Sequence, residues 1–268
     1  MENNEHNLNL LFDKMWKDYC QMNPHAEAVY KTLIEHNENV VNDHIALRTL
    51  NLPAINIKVL AQHFLKYGYK MVAEYIFKDK KLTAMHFEHS NVKMPKVFIS
   101  QLELNLLTDT SKHILETAVQ SCLPLNTQDE GILYSGRAWK AHYKDYQSLY
   151  SESEYAAWFY AHGFRPNHFT VYLNELKELK DIYELNTFLK SKGFRLNSFG
   201  GEVKGTPQNF LEQSSTMAGE IPVQFVDGVH HIPGCYYEFA RRYPMSNGQL
   251  YQGFVESSAN KIFESTHR

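Results

Sequence analysis

The sequence predicts an α+β fold in which paired βαβββ modules form a curled mixed sheet, with additional helices at the N-terminus and between the modules. The main observation is a repeat. His44 lies in a strand-like string and precedes the helix-ending Gly68 by 24 residues, and His168 precedes Gly193 by 25 in the same arrangement. The tripeptides Gly-Tyr-Lys and Gly-Phe-Arg then follow in register. Recurrence of one strand-helix-glycine unit is typical of a duplicated module.

The N-terminal half of the chain is predicted to contain two helices followed by the first module. Apolar residues recur at helical spacing on both sides of Asn23-Pro24, so we expect one helix before and one after this break. The β-branched string at 43–50 predicts a strand, and the helical pattern after Pro53 ends at Gly68. Three short strands are then predicted from the runs YKMVAEYIF, LTAMHFEHS and KVFISQLEL.

The C-terminal half repeats this order after a helical connection. Residues 110–121 and 146–162 are predicted to be helical, and NHFTVYLN begins a second strand-helix unit that continues through several β-like runs to CYYEFARRY. No flexible linker separates the copies, so they should pack as one body. We therefore predict a single compact domain, 1–268, made of N-terminal helices (1–40), a first module (41–109), a helical connection (110–165), a second module (166–245) and a C-terminal segment (246–268).

Composition excludes several classes of protein. The chain has 268 residues with 27 Lys plus Arg against 30 Asp plus Glu, and a net charge of −3 provides no basic field for nucleic acid. No run approaches the ~18 apolar residues of a membrane span, and the start MENNEHN lacks a signal-peptide pattern, so we expect a cytoplasmic protein without a membrane partner. Its three cysteines fit no disulfide framework or metal-binding CxxC pair. The oligomeric state stays open.

Three side chains are candidate metal ligands. Alternation along a strand places His44 and Arg48 on one face of the first strand, and it places His168 on the corresponding face in the second module. Glu238 lies on a strand that is otherwise aromatic and apolar, where a carboxylate needs a partner. Two imidazoles and one carboxylate form a facial triad, which leaves positions open on a divalent metal, typically iron(II).

Several neighbouring residues have more than one interpretation. Arg48 is either the partner of an acidic surface residue or a bidentate grip on a substrate carboxylate. Glu103 follows His44 by 59 residues and could be a fourth ligand, a group behind the ligands or an ordinary strand carboxylate. His230 and His231 cannot chelate one ion together, although either could support Glu238.

Other residues could shape a substrate pocket. The loops at 126–145 and 197–215 are expected to set its depth. Three tyrosines are candidates to line it, although packing is the more common role for such residues: Tyr172, Tyr236 and Tyr237.

The strings NDHIALRTL, RPNHFTVYLN, YYEFARRY and KIFESTHR resemble the 2-oxoadipate dioxygenase/decarboxylase (hydroxyglutarate synthase) family of the vicinal oxygen chelate superfamily. This resemblance implies modules that curl around an iron(II) ion held by His44, His168 and Glu238, with Arg48 needed for substrate. It also implies conversion of 2-oxoadipate and dioxygen into 2-hydroxyglutarate and carbon dioxide in lysine breakdown. Characterised members are longer, so the chain resembles a compact relative.

Two alternatives use the same residues. A metal held by these ligands can act as a Lewis acid in an isomerase, lyase or hydrolase that does not use dioxygen. A non-catalytic protein could keep the fold and only bind a small molecule.

Overall fold

The computed structural model describes residues 2–255, and the string KIFESTHR lies outside them. The helices are α1 (Glu2–Met22), α2 (Pro24–Glu35), α3 (Ile57–Leu65), α4 (Asp109–Gln120), α5 (Tyr143–Glu152), α6 (Glu154–His162) and α7 (Ile182–Ser191). The strands are β1 (Asn42–Leu50), β2 (Lys70–Phe77), β3 (Leu82–Glu88), β4 (Lys96–Leu102), β5 (Pro166–Tyr172), β6 (Lys204–Thr206), β7 (Leu211–Ser215), β8 (Glu220–Phe225), β9 (Gly228–Pro233) and β10 (Glu238–Arg242).

Eight strands form one curled mixed sheet in the order β2-β3-β4-β1-β5-β10-β7-β6. Each half has the same arrangement: its first strand lies parallel to its last strand, β1 beside β4 and β5 beside β10. The remaining strands of each half pair antiparallel, and β1 joins β5 antiparallel at the centre. The predicted α+β class with paired modules is confirmed, whereas the division of the chain into domain ranges stays a prediction.

The second half differs from the first by an inserted hairpin. Strands β8 and β9 pair with each other in a separate two-stranded sheet, between β7 and β10 along the chain. The β-like runs predicted for this region therefore include two strands that do not belong to the main sheet.

Local sequence explains where the helices begin and end. Asn56, Thr108 and Asp181 precede α3, α4 and α7, and the side chain of each accepts a hydrogen bond from the first turn. Ser153 has an extended backbone and caps α6, so the region predicted as one helix at 146–162 is two. None of the helices within residues 2–255 combines the length and the apolar character that crossing a membrane requires.

Helix α1 covers the outer face of the central strands. Trp16 and Tyr19 each pack on Phe169 of β5 with ring centroids 5.0 Å apart, and Trp16 also contacts Tyr237. Burying such aromatic side chains stabilises the fold by about 1.5–3 kcal/mol each. Because Phe169 faces α1, the side chains on either side of it in β5 are directed towards the inner face of the sheet.

Two β-bulges interrupt the central β1–β5 pairing. His44 lies opposite Thr170, but the next pair is Asn42 and Val171, so Asp43 is an extra residue in β1. Further along, Ala46 pairs with His168 and Leu47 with Pro166, which makes Asn167 an extra residue in β5. A bulge changes the direction in which a side chain points. Here each bulged residue directly precedes a histidine.

Candidate metal centre

Three side chains from three strands meet on the inner face of the sheet. His44, His168 and Glu238 each offer a ligand atom, and these atoms all lie within 4.8 Å of one another. His44 Nε2 is 3.6 Å from Glu238 Oε1, and His168 Nε2 is 3.3 Å from Glu238 Oε2. All three residues are at most 5% exposed. The structure therefore brings together the three residues that the sequence predicts as ligands.

Strand register explains why these residues converge. Glu238 pairs with Thr170 in the parallel β5–β10 ladder, and His44 pairs with Thr170 from the other side. The Thr170 hydroxyl lies 3.1 Å from His44 Nε2. Thr170 thus stands between the strands that carry His44 and Glu238, while His168 lies two residues earlier on the same strand.

Each imidazole is oriented by the residue before it. Asp43 Oδ1 lies 2.8 Å from His44 Nδ1, and Asn167 Oδ1 lies 3.0 Å from His168 Nδ1. An oxygen acceptor at Nδ1 places the ring proton there and leaves Nε2 available for a cation. The two bulges make this possible, because in a regular strand consecutive side chains point to opposite faces.

Asp43 is held in turn by Arg242. The Arg242 Nε and Nη2 atoms donate to the two oxygens of Asp43 at 2.6 and 2.8 Å, and its Nη1 donates to the carbonyls of Tyr251 and Gly253. Burial alone would raise the pKa of Asp43, but the Arg242 guanidinium outweighs it and holds that pKa well below its usual range. The Asp43 side chain beside His44 is therefore ionised at neutral pH.

Burial disfavours the charged form of all three side chains. It lowers the pKa of both imidazoles below the ordinary value, although the Asp43 hydrogen bond opposes this at His44. Burial also raises the pKa of Glu238 to about 8, against a hydrogen bond that Gln213 Nε2 donates at 2.5 Å. Two imidazole nitrogens and one carboxylate oxygen suit a divalent transition metal, and its positive charge would favour the ionised form of Glu238.

The cluster lies in the wall of a small cavity on the inner face of the sheet. Arg48 lines this cavity, is 1% exposed, and donates to Glu154 at 3.0 Å while its guanidinium lies over the Tyr155 and Trp158 rings. Arg48 is thus paired with an acid, as one interpretation predicted, but the acid is largely buried and Arg48 faces the cavity. Phe254 closes another side and contacts the His44 ring at 4.8 Å.

Several alternatives from the sequence are resolved by contacts elsewhere. Glu103 accepts hydrogen bonds from Asn51 at 2.7 Å and Gln101 at 2.9 Å, as an ordinary carboxylate at a strand end does. His230 stacks on Tyr143 at 3.6 Å in the β8–β9 hairpin, so the suggestion that it supports Glu238 is wrong.

Of the three candidate tyrosines, Tyr236 lines the cavity, whereas Tyr237 packs on the opposite face against Trp16. The loop at 126–145 contributes no residue to the cavity lining, and the segment 197–215 contributes Gln213.

Sequence patterns do not identify several residues of the site, among them Asp43, Asn167, Gln213 and Phe254. Strict alternation placed Asp43 and Asn167 on the far face, and only their position directly before a histidine hinted at their role. Gln213 and Phe254 come from segments with no distinctive pattern.

The chain matches a family model described as 2-oxoadipate dioxygenase/decarboxylase over residues 8–129 and 133–249. A curated protein of Oryza sativa subsp. japonica, described as 2-oxoadipate dioxygenase/decarboxylase, chloroplastic/amyloplastic, is 33% identical over 96% of this chain and 78% of its own length.

Two crystal structures are also similar. Hydroxyglutarate synthase from Oryza sativa in complex with 2-oxoadipate has a TM-score of 0.94 and 32% identity, covering 99% of this chain and 94% of that one. A protein of Shewanella frigidimarina NCIMB 400 with a provisional description as a hydrolase has a TM-score of 0.89 and 49% identity, covering 92% and 97%.

Proposed function

Because the chain belongs to the 2-oxoadipate dioxygenase/decarboxylase family, we propose that it converts 2-oxoadipate and dioxygen into 2-hydroxyglutarate and carbon dioxide, using iron(II) held by His44, His168 and Glu238. The observation that carries this proposal is the position of the three ligand atoms beside a cavity that also contains Arg48. The reaction balances: the carboxylate next to the keto group leaves as carbon dioxide, and both atoms of dioxygen remain in the five-carbon product.

Iron(II) at this cluster would supply the binding and activation of dioxygen and of the keto acid. The protein residues fix the geometry around it. The hydrogen bonds to Asp43 and Asn167 hold the two imidazoles so that Nε2 of each faces Glu238. Groups of this kind behind a ligand typically contribute 10–100-fold to metal affinity or activity.

Arg48 would bind a carboxylate of the substrate. Among the described residues that line the cavity it is the one full cation, and its guanidinium lies over the rings of Tyr155 and Trp158. A guanidinium donates two parallel hydrogen bonds to a carboxylate, and exclusion of water strengthens them. We assign Arg48 a role in substrate binding and in orienting the chain for reaction.

Anaerobic reconstitution with iron(II), followed by oxygen-electrode measurements with 2-oxoadipate, tests this function. We expect oxygen uptake with stoichiometric carbon dioxide, and its loss in His168→Ala because one imidazole ligand is removed. His162→Ala is a matched control, since His162 is equally buried but bonds the Pro233 carbonyl. Oxygen uptake that persists in His168→Ala would refute the site.

The description of the Shewanella relative makes a hydrolase the second candidate. The same assay separates the two functions: product formed under argon, with zinc or nickel in place of iron(II), would favour hydrolysis or another Lewis-acid reaction. Strict dependence of product formation on dioxygen would exclude a hydrolase.

The physiological setting stays a prediction. The resemblance implies a role in lysine breakdown, and the cytoplasmic location stays an expectation, whereas the rice relative is described as chloroplastic/amyloplastic. Accumulation of 2-oxoadipate in lysine-fed cells that lack the protein would support the role in lysine breakdown.

A further inference from the structure

Two buried side chains in the cavity carry donors that no described residue accepts. The Nδ2 atom of Asn167 and the hydroxyl of Tyr236 have no hydrogen-bond partner within residues 2–255. Both residues line the cavity, and their exposed fractions are 1% and 0%. An unsatisfied buried donor costs free energy, so each of these groups would gain from a ligand that accepts its hydrogen bond.

Both residues that carry these donors contact the His168 ring. Asn167 uses its Oδ1 to hold His168 Nδ1, which leaves its amide N–H groups for another acceptor. The Tyr236 ring stacks on His168 with centroids 4.7 Å apart. Tyr236 lines the same cavity as Glu238 and Arg48, so its side chain shares one space with the candidate metal ligands and the guanidinium.

Arg48 alone does not supply enough hydrogen-bond donors for the second carboxylate of a 2-oxo dicarboxylic acid. Its Nη1 already donates to Glu154, so the positive charge that faces the cavity is partly neutralised. An ionised carboxylate offers about four lone-pair sites on its two oxygens, and all of them need donors when water is excluded. Neutral donors from Asn167 and Tyr236 can fill the sites that Arg48 leaves without adding charge.

We propose that Asn167 and Tyr236 donate hydrogen bonds to the substrate carboxylate remote from the keto group, and that with Arg48 they form the subsite that selects 2-oxo dicarboxylic acids over 2-oxo monocarboxylic acids. This subsite rests on the proposed function, because it assumes that the keto-acid end of the substrate binds at the three ligands. It assigns Asn167 two roles: its oxygen orients His168, and its nitrogen contacts the substrate.

Anaerobic calorimetry on the iron(II)-loaded protein tests the subsite with two ligands of equal length. 2-Oxoadipate carries the remote carboxylate and 2-oxohexanoate lacks it. Tyr236→Phe keeps the ring on His168 and removes only the donor. We expect it to weaken binding of 2-oxoadipate about 10- to 100-fold, as for a hydrogen bond to a charged group, and binding of 2-oxohexanoate less than about twofold.

Tyr237→Phe is the matched control. Tyr237 is adjacent, fully buried and also has no partner for its hydroxyl among the described residues, but it lies on the opposite face of the sheet. Removal of the Tyr237 hydroxyl should leave the affinities for 2-oxoadipate and for 2-oxohexanoate unchanged. Asn167→Asp is a second variant, because it keeps the acceptor for His168 and replaces the donor by a repelling oxygen. We expect Asn167→Asp as well to weaken the binding of 2-oxoadipate more than the binding of 2-oxohexanoate.

Equal losses for both ligands, or no loss for either, would overturn the subsite. Failure of the proposed function looks different: wild-type protein that binds 2-oxoadipate more tightly than 2-oxohexanoate, but consumes no oxygen in air, would refute the reaction and leave the subsite standing. Thermal unfolding of each variant checks that it folds like the wild type.

Discussion

The two central strands build the same local structure with different chemistry. In β1 a bulge aims Asp43 at the Nδ1 atom of His44, and in β5 a bulge aims Asn167 at the Nδ1 atom of His168. Asp43 is charged and tied to Arg242, whereas Asn167 is neutral and retains donors that no described residue accepts. Under the proposed function, the residue before His44 only orients that imidazole, whereas the residue before His168 also has donors for a substrate.

The last strands of the two halves differ as well. Phe98 pairs with Ala46, two residues after His44, and Glu238 pairs with Thr170, two residues after His168. Phe98 therefore occupies in the first half the position that Glu238 occupies in the second. Both side chains line the cavity. An apolar ring at this position contributes no ligand, so a bound ion would keep positions open for substrate and dioxygen.

Of the substitutions that compare the two halves, Glu238→Gln should have the largest effect on iron(II) affinity. The amide keeps the shape of the side chain but removes the charge that favours a cation. We expect iron(II) affinity to fall by more than about 100-fold, beyond the range for groups behind a ligand, and turnover to be lost. Metal titration measures this directly.

Phe98→Leu, at the equivalent position of the other half, should keep iron(II) affinity within about twofold. A comparable loss of iron in both variants would show that the two positions are not chemically distinct.

Asp43→Asn makes the first strand resemble the second. The change breaks the buried pair with Arg242 and leaves a buried guanidinium without its counter-charge, which typically costs about 3–5 kcal/mol. We expect a clear drop in unfolding free energy in denaturant titrations, together with a 10- to 100-fold loss of iron(II) affinity.

Asp181→Asn is the control for this loss. It weakens the pair with Arg241, which follows Glu238 on the same strand and is part-exposed, so the effect should stay below about 1 kcal/mol. Equal destabilisation by the two variants would contradict the special role of Asp43.

A smaller effect is expected where the two halves are joined at their rim. Glu38 precedes β1, is buried, and accepts hydrogen bonds from the backbone N–H groups of Lys177, Glu178 and Leu179 after β5. Burial opposes its ionisation, but these hydrogen bonds prevail and lower the pKa of Glu38. Glu38→Gln should therefore cost about 1–3 kcal/mol of unfolding free energy at pH 7.

The pH dependence of this contribution has a definite sign. Because the pKa of Glu38 is lower in the folded state, its stabilising effect is complete above the ordinary carboxyl value of 4.5 and is lost as the pH falls below it. Denaturant titrations at pH 7 and at pH 3.5 should show the difference between wild type and Glu38→Gln shrinking at the lower pH. A constant difference would mean that Glu38 acts only through packing.

Periodicity and the positions of glycines predicted the repeated order of strands and helices, and Gly68 and Gly193 do lie in the turns that follow α3 and α7, with positive φ. Alternation predicted the inner-face positions of His44, His168 and Arg48 because one face of each strand must bury apolar residues. It could not predict the bulges at Asp43 and Asn167, since a bulge depends on how two distant strands pair.

Spacing along the chain misled where an insertion intervened. Glu103 was compared with Glu238 because each follows its histidine by a similar number of residues, 59 and 70. The hairpin formed by β8 and β9 lengthens only the second half of the chain. Register across the sheet, which sequence alone does not give, identifies Phe98 as the counterpart.

The grip of Arg242 on the Tyr251 and Gly253 carbonyls has a practical consequence for handling the protein. Through hydrogen bonds to Arg242 and from there to Asp43, the chain at 251–254 is linked to the candidate ligand His44, and Phe254 contacts the same imidazole ring. We therefore expect a substitution or a proteolytic cut within 251–254 to disturb the orientation of the His44 ring, and with it any binding of metal at the candidate site.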